Sequence, residues 1–122
     1  MSKQRVVLDT AGQPCCSPMA EQALDADHAA DMARMFKALG DPIRLRLLSR
    51  ITSAAAGETC VCDLTSGEFE VSGPTISHHL KVLREAGLIT GDRRGTWVYY
   101  RPVPANLQRL AVLLDTAALA GA

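Results

Sequence analysis

The chain has 122 residues, 48% of them apolar and 21% charged, which suffices for one core and leaves no room for a separate catalytic domain. Aromatic residues make up 4%, so an aliphatic, helical core is expected in place of a sandwich or barrel. The formal net charge of zero excludes a uniformly basic surface but not a local one: residues 1–36 hold three Lys or Arg against five Asp or Glu, and residues 72–101 hold five against two.

No apolar h-region opens the chain, and no apolar run approaches the roughly 18 residues of a membrane span. The expectation is a cytoplasmic protein with no membrane partner. In that compartment Cys15, Cys16, Cys60 and Cys62 are expected as reduced thiols, suited to metal binding or redox chemistry more than to a structural disulfide.

Residues 1–16 lack helical periodicity and read as a flexible arm carrying the Cys15-Cys16 pair, with one domain over residues 17–122. Ser17-Pro18 is a cap followed by proline at the first helical position, and it predicts a helix running to about Leu39. Its apolar stripe is Leu24, Met32, Met35, Phe36 and Leu39, and Gly40 ends it. Asp41-Pro42 repeats the signal and opens a second helix with Ile43, Leu47, Leu48 and Ile51 facing inward. Cys60 to Ser66 reads as a short third helix, and Ser72 caps a fourth that runs through Ala86 to a stop at Gly87. Two strands follow, Leu88 to Asp92 and Thr96 to Arg101, around a tip at Arg93-Arg94-Gly95. Pro104 opens a last helix with Leu107, Leu110, Ala111, Leu114 and Ala118 on one face. The order is that of a mainly α winged helix–turn–helix with a small β-hairpin wing and an extra helix at each end.

On a helical wheel, Ile76, Leu80, Leu83 and Gly87 share one side of the fourth helix, while Ser77, His78, Lys81 and Glu85 share the other and Arg84 flanks them. A helix with one buried side and small polar or basic groups opposite can enter a major groove. Thr75, Ser77 and His78 are short enough to approach base edges, whereas Lys81 and Arg84 suit phosphates. His79, near the apolar stripe, suits packing or a phosphate. Arg93 and Arg94 at the hairpin tip suit the DNA backbone or a minor groove.

The stretch FKALGDPIRLRLL at 36–48, the run TISHHLKVLREAGL at 75–88 and WVYY at 97–100 resemble the ArsR/SmtB family of metal-responsive repressors over about residues 24–118. The resemblance implies a homodimer joined through its terminal helices, with Leu24, Met32, Met35, Leu107, Leu110 and Leu114 at the interface. It also implies a palindromic double-stranded operator released by metal. Gly73 departs from the family, many of whose members have glutamine there, so the operator sequence does not carry over.

CVCDL at 60–64 resembles the family's box in which both thiolates bind soft ions. The residues agree with that role, since a helix start lowers thiol pKa and favours the thiolate. Side chains at i and i+2 of a regular helix diverge by about 200°, so Cys60 and Cys62 can share an ion only if one occupies an irregular cap or the turn distorts. An arm whose thiols close on the box resembles the cadmium- and lead-responsive branch, while the adjacent Cys15 and Cys16 resemble the N-terminal cysteines of arsenic-responsive relatives, and this chain combines both features. Three thiolates suit trivalent arsenic or antimony, while four suit tetrahedral cadmium, lead or zinc. The last helix holds Asp115 but no histidine, so the family's other zinc site is not expected. Two rivals remain: a repressor switched by thiol oxidation, and a thiol-dependent enzyme. Neither a Cys followed six positions later by Arg nor a Cys-x-x-Cys is present, which opposes the enzyme.

Overall fold

The computed structural model describes residues 17–119; the expected arm over residues 1–16, with Cys15 and Cys16, lies outside them. Five helices and three strands alternate in the order α1 (Ala26–Leu39), α2 (Pro42–Thr52), β1 (Thr59–Cys60), α3 (Val61–Leu64), α4 (Gly73–Glu85), β2 (Ile89–Arg94), β3 (Trp97–Pro102) and α5 (Pro104–Leu113). The fold is a winged helix–turn–helix.

Capping chemistry sets most helix starts. The Asp41 carboxylate accepts the N–H groups of Ile43 at 2.8 Å and Arg44 at 3.2 Å, with Pro42 at the first helical position. Those backbone N–H bonds, that from Arg44 foremost, hold the Asp41 carboxyl below its usual pKa. Ser72 caps α4 in the same way through the N–H of Thr75.

The first helix starts later than its sequence signal suggests. Pro18 begins a turn, closed by Glu21 N–H on its carbonyl at 2.9 Å, and α1 begins at Ala26. Asp25 is the cap that wins: its carboxylate accepts His28 N–H and also meets the His28 ring nitrogen Nδ1, both at 2.8 Å. Met19 N–H meanwhile bonds the Leu113 carbonyl, drawing the Pro18 turn onto the end of α5.

One core joins all the elements. Met32, Met35, Leu47, Ile51, Leu64, Ile76, Leu80, Leu83, Ile89 and Leu113 are buried almost completely. Each such side chain contributes roughly 1.5–3 kcal/mol by leaving water. Helix α5 is shorter than its apolar pattern implied and buries Leu110 and Leu113, whereas Leu114 is 51% exposed and a 3-10 turn, Ala117–Leu119, follows.

The sheet has three antiparallel strands in the order β1-β3-β2, one more than the expected hairpin. Thr59 pairs with Tyr100 and Cys60 with Tyr99, so the strand that carries the first box cysteine is joined directly to the wing. In the hairpin Arg93 lies opposite Val98 and Arg94 opposite Trp97. Both arginines therefore belong to β2, and the tip falls at Gly95 and Thr96; Gly95 has φ +66°, a left-handed conformation that glycine adopts freely.

Candidate functional site

Helix α4 presents the two faces its sequence predicts. Ile76, Leu80 and Leu83 are buried, and Ser77, His78, Lys81 and Arg84 are exposed. Thr75 is half-buried, and its hydroxyl is bonded to Ser72 Oγ at 2.9 Å, within the cap itself. His79 is half-buried as well, with its Nδ1 3.1 Å from Nη1 of Arg44. Arg44 in turn donates from Nε to the Ala38 carbonyl at 2.6 Å, which fixes the guanidinium at the junction of α1, α2 and α4. The helix ends where Gly87 takes φ +81° and receives the Asn106 side-chain amide on its carbonyl at 2.7 Å.

The two wing arginines have different surroundings. Period-two alternation puts Arg93 on the face of the sheet that continues from buried Ile89, but at the exposed end of the strand. Arg94 lies on the opposite face with Asp92, Tyr99 and Arg101. Its guanidinium donates to Glu58 from Nη1 at 2.6 Å and Nη2 at 2.9 Å, donates to Asp92 from Nε at 3.0 Å, and lies 4.5 Å from the Tyr99 ring centroid. The Glu58 carboxylate also accepts from Arg101 at 2.8 Å. These two arginines, Arg94 foremost, hold its pKa at about 2, and the Arg94 pKa is raised in turn.

Cys60 is the N-cap of α3, extended at φ −70° and ψ 140°, and its sulfur accepts the Cys62 N–H at 3.2 Å. With Cys60 extended and Cys62 helical, the two sulfurs converge, as sharing one ion requires. They are in fact joined as a disulfide, across a Cα separation of 5.2 Å, where the sequence led us to expect reduced thiols. Helix α3 spans four residues, shorter than the expected Cys60 to Ser66, so the free N–H groups of its first turn matter more to the sulfurs than any helix dipole. A pair of soft sulfur donors fits a thiophilic ion in chemistry. Among the described residues no further Cys, His, Asp or Glu completes a cluster of three.

Of the six residues expected at a dimer interface, Met32, Met35 and Leu110 are buried in the chain's own core, with exposures of 5% or less. Leu24 and Leu107 are half-buried against that core, and Leu114 is exposed. Arg44, Glu58 and Tyr99 were not singled out from sequence. The partners of Arg44 and Glu58 lie 35 and 36 residues away along the chain, at separations that no local pattern encodes, whereas Tyr99 meets Arg94 across the hairpin.

Residues 41–90 match the family model described as bacterial regulatory protein, arsR family. The chain is 44% identical over 99 residues to the arsenic resistance transcriptional regulator ArsR1 of Pseudomonas putida, covering 79% of this chain and 75% of that protein. The chain belongs to the ArsR family. This ArsR-family chain is also 39% identical over 84 residues to the arsenical resistance operon repressor of Escherichia coli, covering 69% of each. A crystal structure of a possible transcriptional regulator for arsenical resistance superposes with a TM-score of 0.58 at 36% identity, over 68% of this chain and 81% of that one. As a member of the ArsR family, it is a DNA-binding transcriptional repressor and not an enzyme. Among the described residues no helix is long and apolar enough to cross a membrane.

Proposed function

We propose that this ArsR-family chain binds a double-stranded operator as a homodimer and leaves it when trivalent arsenic or antimony is held by its cysteine thiolates. The observation that carries the reading is the convergence of the Cys60 and Cys62 sulfurs at the head of α3, the helix that leads into α4. Trivalent arsenic or antimony supplies a pyramidal centre that takes three thiolates. In the reduced protein, with the Cys60–Cys62 disulfide opened, those two residues give two thiolates, and Cys15 or Cys16, on an N-terminal arm of the same or the partner chain, gives the third. Fastening that arm to α3 shifts the turn into α4 and withdraws Ser77, His78, Lys81 and Arg84 from the groove. Such coupling is typically about 1–3 kcal/mol. The arsenic-resistance names of two relatives support this ion over cadmium, lead or zinc, which four thiolates would also accommodate.

The dimer face we assign to Leu24, Leu107 and Leu114, together with Met19 and Leu119. Met19, Leu114 and Leu119 are exposed apolar groups around a cleft of about 230 Å³ between the Pro18 turn and the segment after α5. Contiguous apolar surface of this kind marks an association site.

The test is a titration of the reduced protein, bound to labelled operator DNA, with arsenite, antimonite, cadmium, lead and zinc in separate arms. Arsenite and antimonite should release the DNA at the lowest concentrations. Release by cadmium, lead or zinc alone would reassign the ion.

A second reading is favoured by the Cys60–Cys62 disulfide itself. A peroxide would take both thiol hydrogens, form the S–S bond and leave two waters, and the oxidised turn would release DNA without any ion. Hydrogen peroxide added to ion-free protein separates the two readings.

A further inference from the structure

We propose that Glu58 is a positioning residue for DNA binding: it clamps the wing to β1 through Arg94 and Arg101, and Arg94 serves this clamp and not the DNA. The inference goes beyond ion sensing and rests on four observations.

The first is engagement. Each of the three Arg94 nitrogens already donates once, two to Glu58 and one to Asp92, which uses three of the guanidinium's five N–H groups, and its face rests on the Tyr99 ring. A two-pronged carboxylate pair combined with stacking uses the planar fork that only arginine has. The second is charge. Glu58 and Asp92 balance Arg94 and Arg101 within one cluster, so it adds no net attraction for a phosphate backbone. Arg93, on the other face, is exposed and has no ion pair among the described residues.

The third is reach. By register Arg94 lies opposite Trp97 near the tip, yet its partner Glu58 immediately precedes β1 at the base of the sheet. The side chain thus runs back over Tyr99 and ties the end of the hairpin to its root. The fourth is need. A two-stranded hairpin is marginal by itself, β1 pairs with β3 at only Tyr99 and Tyr100, and Trp97 near the tip is 49% exposed. Without the clamp, the pose of Arg93 is set by the β2–β3 pairing and the turn, and among the described residues no side chain ties the end of the hairpin to β1. The Glu58 side chain is 19% exposed and its carboxyl titrates far below neutrality, so the clamp is charged at neutral pH.

The experiment uses full-length, reduced protein and a labelled duplex from the DNA upstream of its own gene. Binding is measured across a salt series for wild type, Glu58→Gln, Arg94→Lys and the double variant, at a temperature where melting curves show all four folded. Both single variants should weaken binding by about three- to tenfold with the wild-type salt slope. The double variant should be no weaker than the worse single. Without DNA, the anisotropy of Trp97, the single tryptophan, should fall in each variant. The conservative lysine decides the matter. A phosphate contact survives as a point charge, so wild-type affinity in Arg94→Lys overturns the proposal. Equal or tighter binding by Glu58→Gln, with a slope steeper by about one per subunit, overturns it too, because a freed Arg94 would then be on a phosphate. No ion enters the experiment, so its outcome is independent of the sensing proposal.

Discussion

Arg44 places Nη1 3.1 Å from Nδ1 of His79 across the junction of α2 and α4, and this contact fixes the histidine tautomer. A guanidinium can only donate, so Nδ1 is the ring's lone-pair nitrogen and Nε2 carries the proton in the neutral ring. A nitrogen-resolved NMR spectrum at alkaline pH should show the Nε2–H tautomer for His79, and Arg44→Ala should scramble it. An Nδ1–H tautomer in the wild type would contradict the arrangement.

The two faces of α4 lead to opposite phenotypes. Leu80 is fully buried, so Leu80→Ala should cost about 2–5 kcal/mol of stability in a denaturant melt. Lys81 is exposed next to it, so Lys81→Ala should leave the melt unchanged and weaken all DNA sequences alike, with a salt slope shallower by about one per subunit. Ser77 and His78 are exposed near the helix start. Replacing either with alanine should relax preference at one base pair by about 1–3 kcal/mol, read by competition with single-site operator variants.

What the sequence made legible follows from the range of the physics involved. Helices α2 and α4 were readable because a cap, a first-turn proline and a 3.6-residue stripe all sit within each segment. The start of α1 was not, since Ser17-Pro18 and Asp25 are both plausible caps and the choice depends on Met19 bonding to Leu113, far along the chain. Strand β1 has two residues, too few for any period, and it exists only because β3 offers an edge. The wing arginines were visible as a pair, but strand alternation sends them to opposite faces and Glu58 captures one of them. Apolar stripes on α1 and α5 were equally visible, yet a stripe does not say whether Met32 meets its own core or a partner.

That last ambiguity gives a paired prediction. Met32 is 1% exposed within the single chain, so Met32→Ala should lower stability by about 2–5 kcal/mol. Leu114, half-exposed on the proposed dimer face, should behave differently. Sedimentation of Leu114→Arg should show a shift toward monomer and a weaker, less cooperative operator complex. Dimers as stable as the wild type would remove Leu114 from the interface.

Acid should loosen the wing before it unfolds the body. Glu58 titrates at about 2 in the folded chain against 4.5 for the free side chain, held down first by Arg94 and then by Arg101. A carboxyl whose folded pKa is depressed stabilises fully above its unfolded pKa, and the contribution disappears as pH falls toward the folded value. The melting temperature should therefore decline between about pH 4.5 and 2, with Trp97 anisotropy falling in parallel. Glu58→Gln, which has no charge to lose, should flatten this component of the profile. An unchanged profile in that variant would assign the acid response to other carboxylates, such as Asp31, whose pKa is lowered chiefly by its bond to Arg109.

Serine is the informative replacement for the box cysteines, and the reason lies in the cap. The Cys60 sulfur accepts the Cys62 N–H at the start of α3, and a hydroxyl at position 60 would accept the same N–H at least as well, since serine is among the preferred N-cap residues. Cys60→Ser therefore keeps the local fold while removing a soft ligand. Cys62→Ser removes the second sulfur without touching the cap acceptor. Both variants should bind operator DNA as the wild type does, and for both the five- to roughly 150-fold loss of affinity expected on adding arsenite should shrink to about one. Cys60→Val is the contrasting case: it loses ligand and cap together, so weaker operator binding without ion is expected in that variant alone. If Cys60→Ser bound DNA normally and were still released by arsenite, the thiolates of the box would not be the sensor.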